Sequence, residues 1–186
     1  VNLAYMRGSK TRIEMLTSGR YDFAIVSKMA AKEHMENHDD IVIAVDFGPF
    51  SYTKQHVVMF RNNDEKEIKD GMKIGIDPSS IDQTKLTRHI CINKDVEFVE
   101  VQYLRMFEKI MDGSIDATIM CIGEANGQAL NINYVPLETE LDSTNAVLVV
   151  KSDREELIAL IKELIDKDKI LDIQKQVLEG KIQPSY

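Results

Sequence analysis

Two short stretches of this 186-residue chain carry residue types at a spacing suited to holding an anion: Arg7-Gly8-Ser9 and Asp77-Pro-Ser-Ser-Ile-Asp-Gln83. Each sits where an apolar run passes into a helical pattern. Free N–H groups and the helix dipole make such a junction attractive to negative charge. Gly8 lets the backbone approach a ligand, and Arg7 can grip a carboxylate or phosphate through two parallel hydrogen bonds. The plainer reading is that Ser9 only caps a helix and Arg7 is a surface charge. In the second stretch Ser79 or Ser80 can cap the helix and offer a hydroxyl. Asp82 follows Ser79 at capping-box spacing, with Asp in place of Glu. Asp77 and Gln83 complete that candidate set. Ser27 and Cys121 end two apolar runs, and strand ends face ligand clefts in open α/β sheets. Glu124 follows in the next loop. Tyr52 can stack on a ligand or bond to it, and Tyr103 stands at another strand–helix junction. His56 precedes an apolar run and reads as structural.

Other chemistry is missing from the sequence. There is no CxxC pair, HExxH helix, phosphate-binding Walker loop or GxSxG elbow. The four His are scattered, and no spacing brings two carboxylates or a nucleophile and base together. This argues against a metal or nucleophile enzyme, and no cofactor is expected. Cys91 and Cys121 lack metal-ligand spacing and read as reduced thiols of a cytoplasmic protein. With 31 acidic against 23 basic residues, the net charge of −8 disfavours bulk binding of nucleic acid by this segment. A basic DNA-binding domain upstream would be compatible with it. No run approaches the ~18 apolar residues of a membrane helix, so no membrane partner is expected. No export signal follows Val1, and the missing initiator Met suggests an upstream segment.

The elements that must position these residues alternate. Strands are predicted over 1–6, 22–26, 41–45, 56–60, 72–76, 96–101, 117–120, 132–137 and 146–150. Helices are predicted over 9–19, 29–35, 80–89, 104–111, 153–166 and 169–178. Residues 61–70 read as a surface loop or short helix. The alternation implies an α/β protein with mostly parallel sheets, and the continuous apolar run at 22–26 implies a strand buried on both faces. Gly19, Asp22 and Ile25 recur as Gly113, Asp116 and Ile119, 94 positions apart. Helix–glycine–strand junctions look alike in many folds, but the echo also fits two similar lobes around one cleft. The last helices need a sheet to cover, which gives a discontinuous first lobe (1–50 and 142–186) and an inserted second lobe (51–141). The stripe Leu157, Ile158, Leu160, Ile161, Leu164 and Ile165 is broad for one packing face. It points to a homodimer contact.

This organisation resembles the two-lobed type 2 periplasmic-binding-protein fold. Met6-Arg-Gly-Ser9, Gly19-x-Tyr-Asp22-x-Ala-Ile-Val-Ser27, Gly48-Pro-x-x-Tyr52, Gly75-Ile-Asp77-x-x-Ser80-x-Asp-Gln83 and Pro184-Ser-Tyr186 are similar to the C-terminal domain of the YhfZ family of transcriptional regulators. Members of that family carry a winged-helix domain and a first strand–helix unit upstream. This chain starts at what would be the second strand and so departs from the pattern by lacking both. The resemblance implies an effector-binding domain of a bacterial regulator that meets DNA only through the upstream domain. The expected ligand is small and anionic, held between the lobes. A solute-binding protein of a transporter is the second reading, and an enzyme on the same scaffold the third.

Overall fold

The computed structural model describes residues 4–122, 132–139 and 141–183. Two separate sheets organise them. The first has three strands in the order β1 (Phe23–Ser27), β8 (Ala146–Lys151), β2 (Ile41–Gly48). Strand β8 alternates its side chains between two apolar layers. Val147 and Val149 meet Ile13 and Leu16 of α1 (Ser9–Thr17) and Ala30 and Ala31 of α2 (Lys28–Met35). Leu148 and Val150 meet Ala44, Phe47 and Ile161, the last from α5 (Glu155–Leu164). Both faces are therefore covered, and each buried side chain of β8 contributes about 1.5–3 kcal/mol.

The second sheet runs β5 (Glu97–Glu100), β4 (Lys73–Ile76), β6 (Ala117–Cys121), β3 (His56–Phe60), β7 (Asn133–Leu137). Strand β3 is buried throughout and also alternates. Val58 and Phe60 join Leu86 of α3 (Ile81–Ile90). Val57 and Met59 join Met106 and Ile110 of α4 (Met106–Met111). The connecting segments 49–55 and 142–145 lie side by side. Tyr52 N–H donates to Thr144 O at 2.8 Å, and Ala146 N–H to Ser51 Oγ at 2.8 Å. The last helix, α6 (Lys167–Leu178), is tied to the same region by Gln174 Nε2 donating to Ser51 O at 2.8 Å.

Several expectations need correction. The pairing is mostly antiparallel: β8 opposes both its neighbours and β3 opposes β6 and β7, leaving β4–β5 and β4–β6 parallel. The reason is that β8 returns from the second sheet and fits between β1 and β2 running against them. Strand β1, expected to be buried on both faces, lies at the sheet's edge among the described residues, and its Ile25 is 43% exposed. Ala4, Tyr5 and Met6 form no strand. Of the two readings of residues 61–70, the loop holds, since they form turns and no helix. Gly19 and Gly113 do occupy equivalent left-handed positions, each donating its N–H three residues back, to Leu16 O and Ile110 O.

Candidate functional site

The N-termini of α1 and α3 meet each other. Gly8, with φ +83°, occupies the N-cap position of α1, so Ser9 is the first helical residue and not the cap. The Ser9 hydroxyl is directed across the gap, where it accepts from Ile81 N–H at 2.9 Å. In return Lys10 N–H donates to Ser79 O at 3.2 Å. Each helix start thus satisfies a donor of the other, or has its own satisfied by the other's loop. Ser80 holds the N-cap position of α3 without a side-chain capping bond, and Asp82 forms no capping box. The expectation that both helix ends present free donors to one anion is therefore corrected for Lys10 and Ile81, whose N–H groups are already engaged.

Beside this crossing lies a cavity of about 570 Å³. Of the candidates named from the sequence, Arg7, Gly8, Ser9, Tyr52, Asp77, Ser80, Gln83, Tyr103 and Cys121 line it. Ser27 and Ser79 do not. Ser27 is fully buried at the end of β1, caps α2 by accepting from Ala30 N–H at 3.0 Å, and donates to Asp82 Oδ1. Ser79 turns its hydroxyl to Asp77 Oδ1 at 2.7 Å. Glu124 lies outside the described residues, as does the Pro184-Ser-Tyr186 motif.

Several lining groups are occupied by the fold. Asp77 accepts from Ser79 N–H and Ser79 Oγ through Oδ1 and from Tyr103 N–H through Oδ2. Gln83 bridges β4 and β6, accepting from Asp77 N–H and donating to Gly75 O and Thr118 Oγ1. Tyr103 Oη accepts from Cys121 N–H at 2.8 Å. These bonds fix the wall.

Arg12, Lys54 and Gln174, which the sequence did not single out, also line the cavity, as does Asp82, expected there only as a capping residue. Arg12 stands three residues after Ser9, hence on the same helix face. That spacing was the available signal. Its guanidinium donates to Gly8 O at 3.4 Å, Ile25 O at 2.7 Å and Tyr52 Oη at 2.9 Å. It therefore ties α1 to β1 and to the connecting segment. Asp82 is 5% exposed, and burial pushes its carboxyl above the ordinary carboxylate range, against the opposing pull of Ser27, His56 and Arg12. Tyr52 is raised, mainly by burial. His56 is lowered by burial, so its imidazole is neutral at neutral pH. No three His, Cys, Asp or Glu among the described residues are placed to hold a metal ion.

Two covered sheets with a lined cavity beside the crossing helices make a type 2 periplasmic-binding-protein-like fold. The periplasmic aliphatic sulphonate binding protein SsuA from Escherichia coli matches with TM-score 0.68 at 16% identity, over 94% of this chain and 62% of that one. That likeness is one of fold. The chain belongs to the YhfZ family: the profile of the YhfZ C-terminal domain matches residues 1–186. YhfZ from Escherichia coli (strain K12) is 30% identical over 187 residues, which cover 98% of this chain and 61% of that protein. The crystal structure of YhfZ from Shigella flexneri matches with TM-score 0.79 at 31% identity, over 98% of this chain and 79% of that one. The chain thus spans less than two thirds of the Escherichia coli relative.

Proposed function

We propose that this chain is the ligand-sensing domain of a bacterial transcriptional regulator, taking a small anionic molecule between two lobes, 1–50 with 142–186 and 51–141. The supporting observation is the charge balance of the cavity. Arg7, Arg12 and Lys54 line it, whereas among the described residues only Asp77 and Asp82 oppose them. Asp77 is held by three hydrogen bonds, and burial disfavours ionisation of Asp82. The remaining potential is positive, and low dielectric strengthens it. The domain binds and does not catalyse. A ligand shifts the two lobes only by differing in affinity for their arrangements. Contact with DNA passes through a segment preceding this one in a longer, cytoplasmic, homodimeric protein.

Thermal-shift screening tests the ligand class, because a ligand selective for the folded state raises the melting temperature by mass action. Carboxylates, phosphates or sulphonates are expected to shift it. Arg7→Ala is expected to weaken the binding of such an anion tenfold or more with the fold intact. Shifts confined to neutral or cationic compounds, or unchanged affinity in Arg7→Ala, would sink the reading. The fold also favours a second reading, a solute-binding component of a transporter. Specific DNA binding by the full-length protein, relieved or strengthened by the anion, separates the two.

A further inference from the structure

The turn that opens the first connecting segment holds its backbone in a conformation its sequence disfavours. Phe50 follows Pro49 in the turn Gly48-Pro-Phe-Ser51 and has φ +63°. A left-handed residue at that place is ordinarily glycine or asparagine, because a Cβ crowds the chain there. A bulky ring is an outlier, and such outliers gather at ligand clamps and active sites. Burial does not offset the strain, since Phe50 is 58% exposed. What the ring does is line the 570 Å³ cavity.

Three more aromatic side chains line the same space, Tyr5, Tyr52 and Tyr103. The fold already uses two of their hydroxyls: Tyr52 Oη accepts from Arg12 at 2.9 Å, and Tyr103 Oη from Cys121 N–H at 2.8 Å. Each cavity arginine lies beside one of these rings. Arg7 Cζ is 5.6 Å from the Tyr5 ring centroid, and Arg12 Cζ is 6.0 Å from that of Tyr52. A carboxylate that meets either guanidinium therefore sets the rest of its molecule next to an aromatic ring.

We infer that Phe50 is a ligand-contacting platform that selects an aromatic ring, which with the anionic head proposed above makes the ligand an aromatic carboxylate. The choice of head rests on the anion reading, and the ring is the addition. Offset or edge-to-face contact favours a planar aromatic ring over a saturated one of similar size. The cavity volume suits a small molecule of this kind.

Calorimetric titration of the whole protein at pH 7 with benzoate, cyclohexanecarboxylate and benzamide tests the inference. The two acids share charge and ring size, and benzamide keeps the aromatic ring without the charge. Benzoate is expected to bind about fivefold or more tightly than cyclohexanecarboxylate. Phe50→Leu keeps a large apolar side chain on the same backbone and is expected to abolish that preference. Phe50→Gly is expected to weaken benzoate about tenfold while the melting temperature holds or rises, because glycine relieves the turn. A ring that only supported the fold would do the reverse, lowering the melting temperature and leaving the affinity alone. Benzoate no tighter than cyclohexanecarboxylate, a preference that survives Phe50→Leu, or no binding of either benzoate or benzamide at millimolar concentration would overturn the inference. Benzamide binding at least as tightly as benzoate, and weakened by Phe50→Gly, would support the ring contact and sink the anionic head.

Discussion

Asp82 and His56 are buried at one wall of the cavity, and their shifts bend stability in opposite directions. Burial holds the Asp82 carboxyl above its ordinary value. The folded state then keeps a proton that the unfolded chain releases above about pH 3.9. Stability is full below that point and falls as pH rises through the folded value. Asp82→Asn, which keeps an acceptor for Ser27, is expected to melt higher than wild type at pH 7 and to lose that slope. His56 is lowered by burial, so its contribution is present above about pH 6.5 and is lost as pH falls below it. Melting curves from pH 4 to 8 on both proteins check the two signs. Arg7, Tyr52, Ser80 and Cys121 were legible because their types stand beside strand ends and helix starts. Arg12 and Asp82 were not, since a helix interior position and a supposed cap reveal their cavity contacts only when two distant helices are brought together.

At the scale of elements, the crossing of α1 and α3 depends on close approach. An ideal Cβ on Gly8 would lie 2.8 Å from Ser79 O and 2.9 Å from Ser79 Oγ, in a backbone conformation that L residues avoid. Gly8→Ala is expected to destabilise the fold by about 1–3 kcal/mol, measured by urea unfolding, and to part the two helix starts. Ser9→Ala removes the acceptor for Ile81 N–H and is expected to cost ~1 kcal/mol, as for a lost cap, although the helix losing it is α3 and not α1. Central strands were readable from their unbroken apolar runs: β3 and β8 stand within a residue of expectation. Strand direction was not, because periodicity shows which faces are covered and is silent on which way a returning strand runs. The edge position of β1 was hidden by the same kind of run, whose Ile25 is exposed.

For the whole molecule, the last two helices leave apolar surface beyond what the first sheet covers. Leu157, Ile158 and Ile165 pack on it, while Leu160 and Leu164 are 48% and 68% exposed. Light scattering of the full-length protein is expected to give a dimer, and Leu160→Glu with Leu164→Glu to give a monomer of unchanged melting cooperativity. A monomer at high concentration without these changes would refute the contact. The covered sheet has a further consequence, for the order of events at the ribosome. Strands β1 and β2 pair with β8 and not with each other. Both emerge about a hundred residues before their shared partner. At ~5–20 residues per second they wait roughly 5–20 s with open edges. The second sheet, drawn from consecutive residues 56–137, can close in that interval. All strands of the second sheet are therefore synthesised before β8 arrives to join β1 and β2.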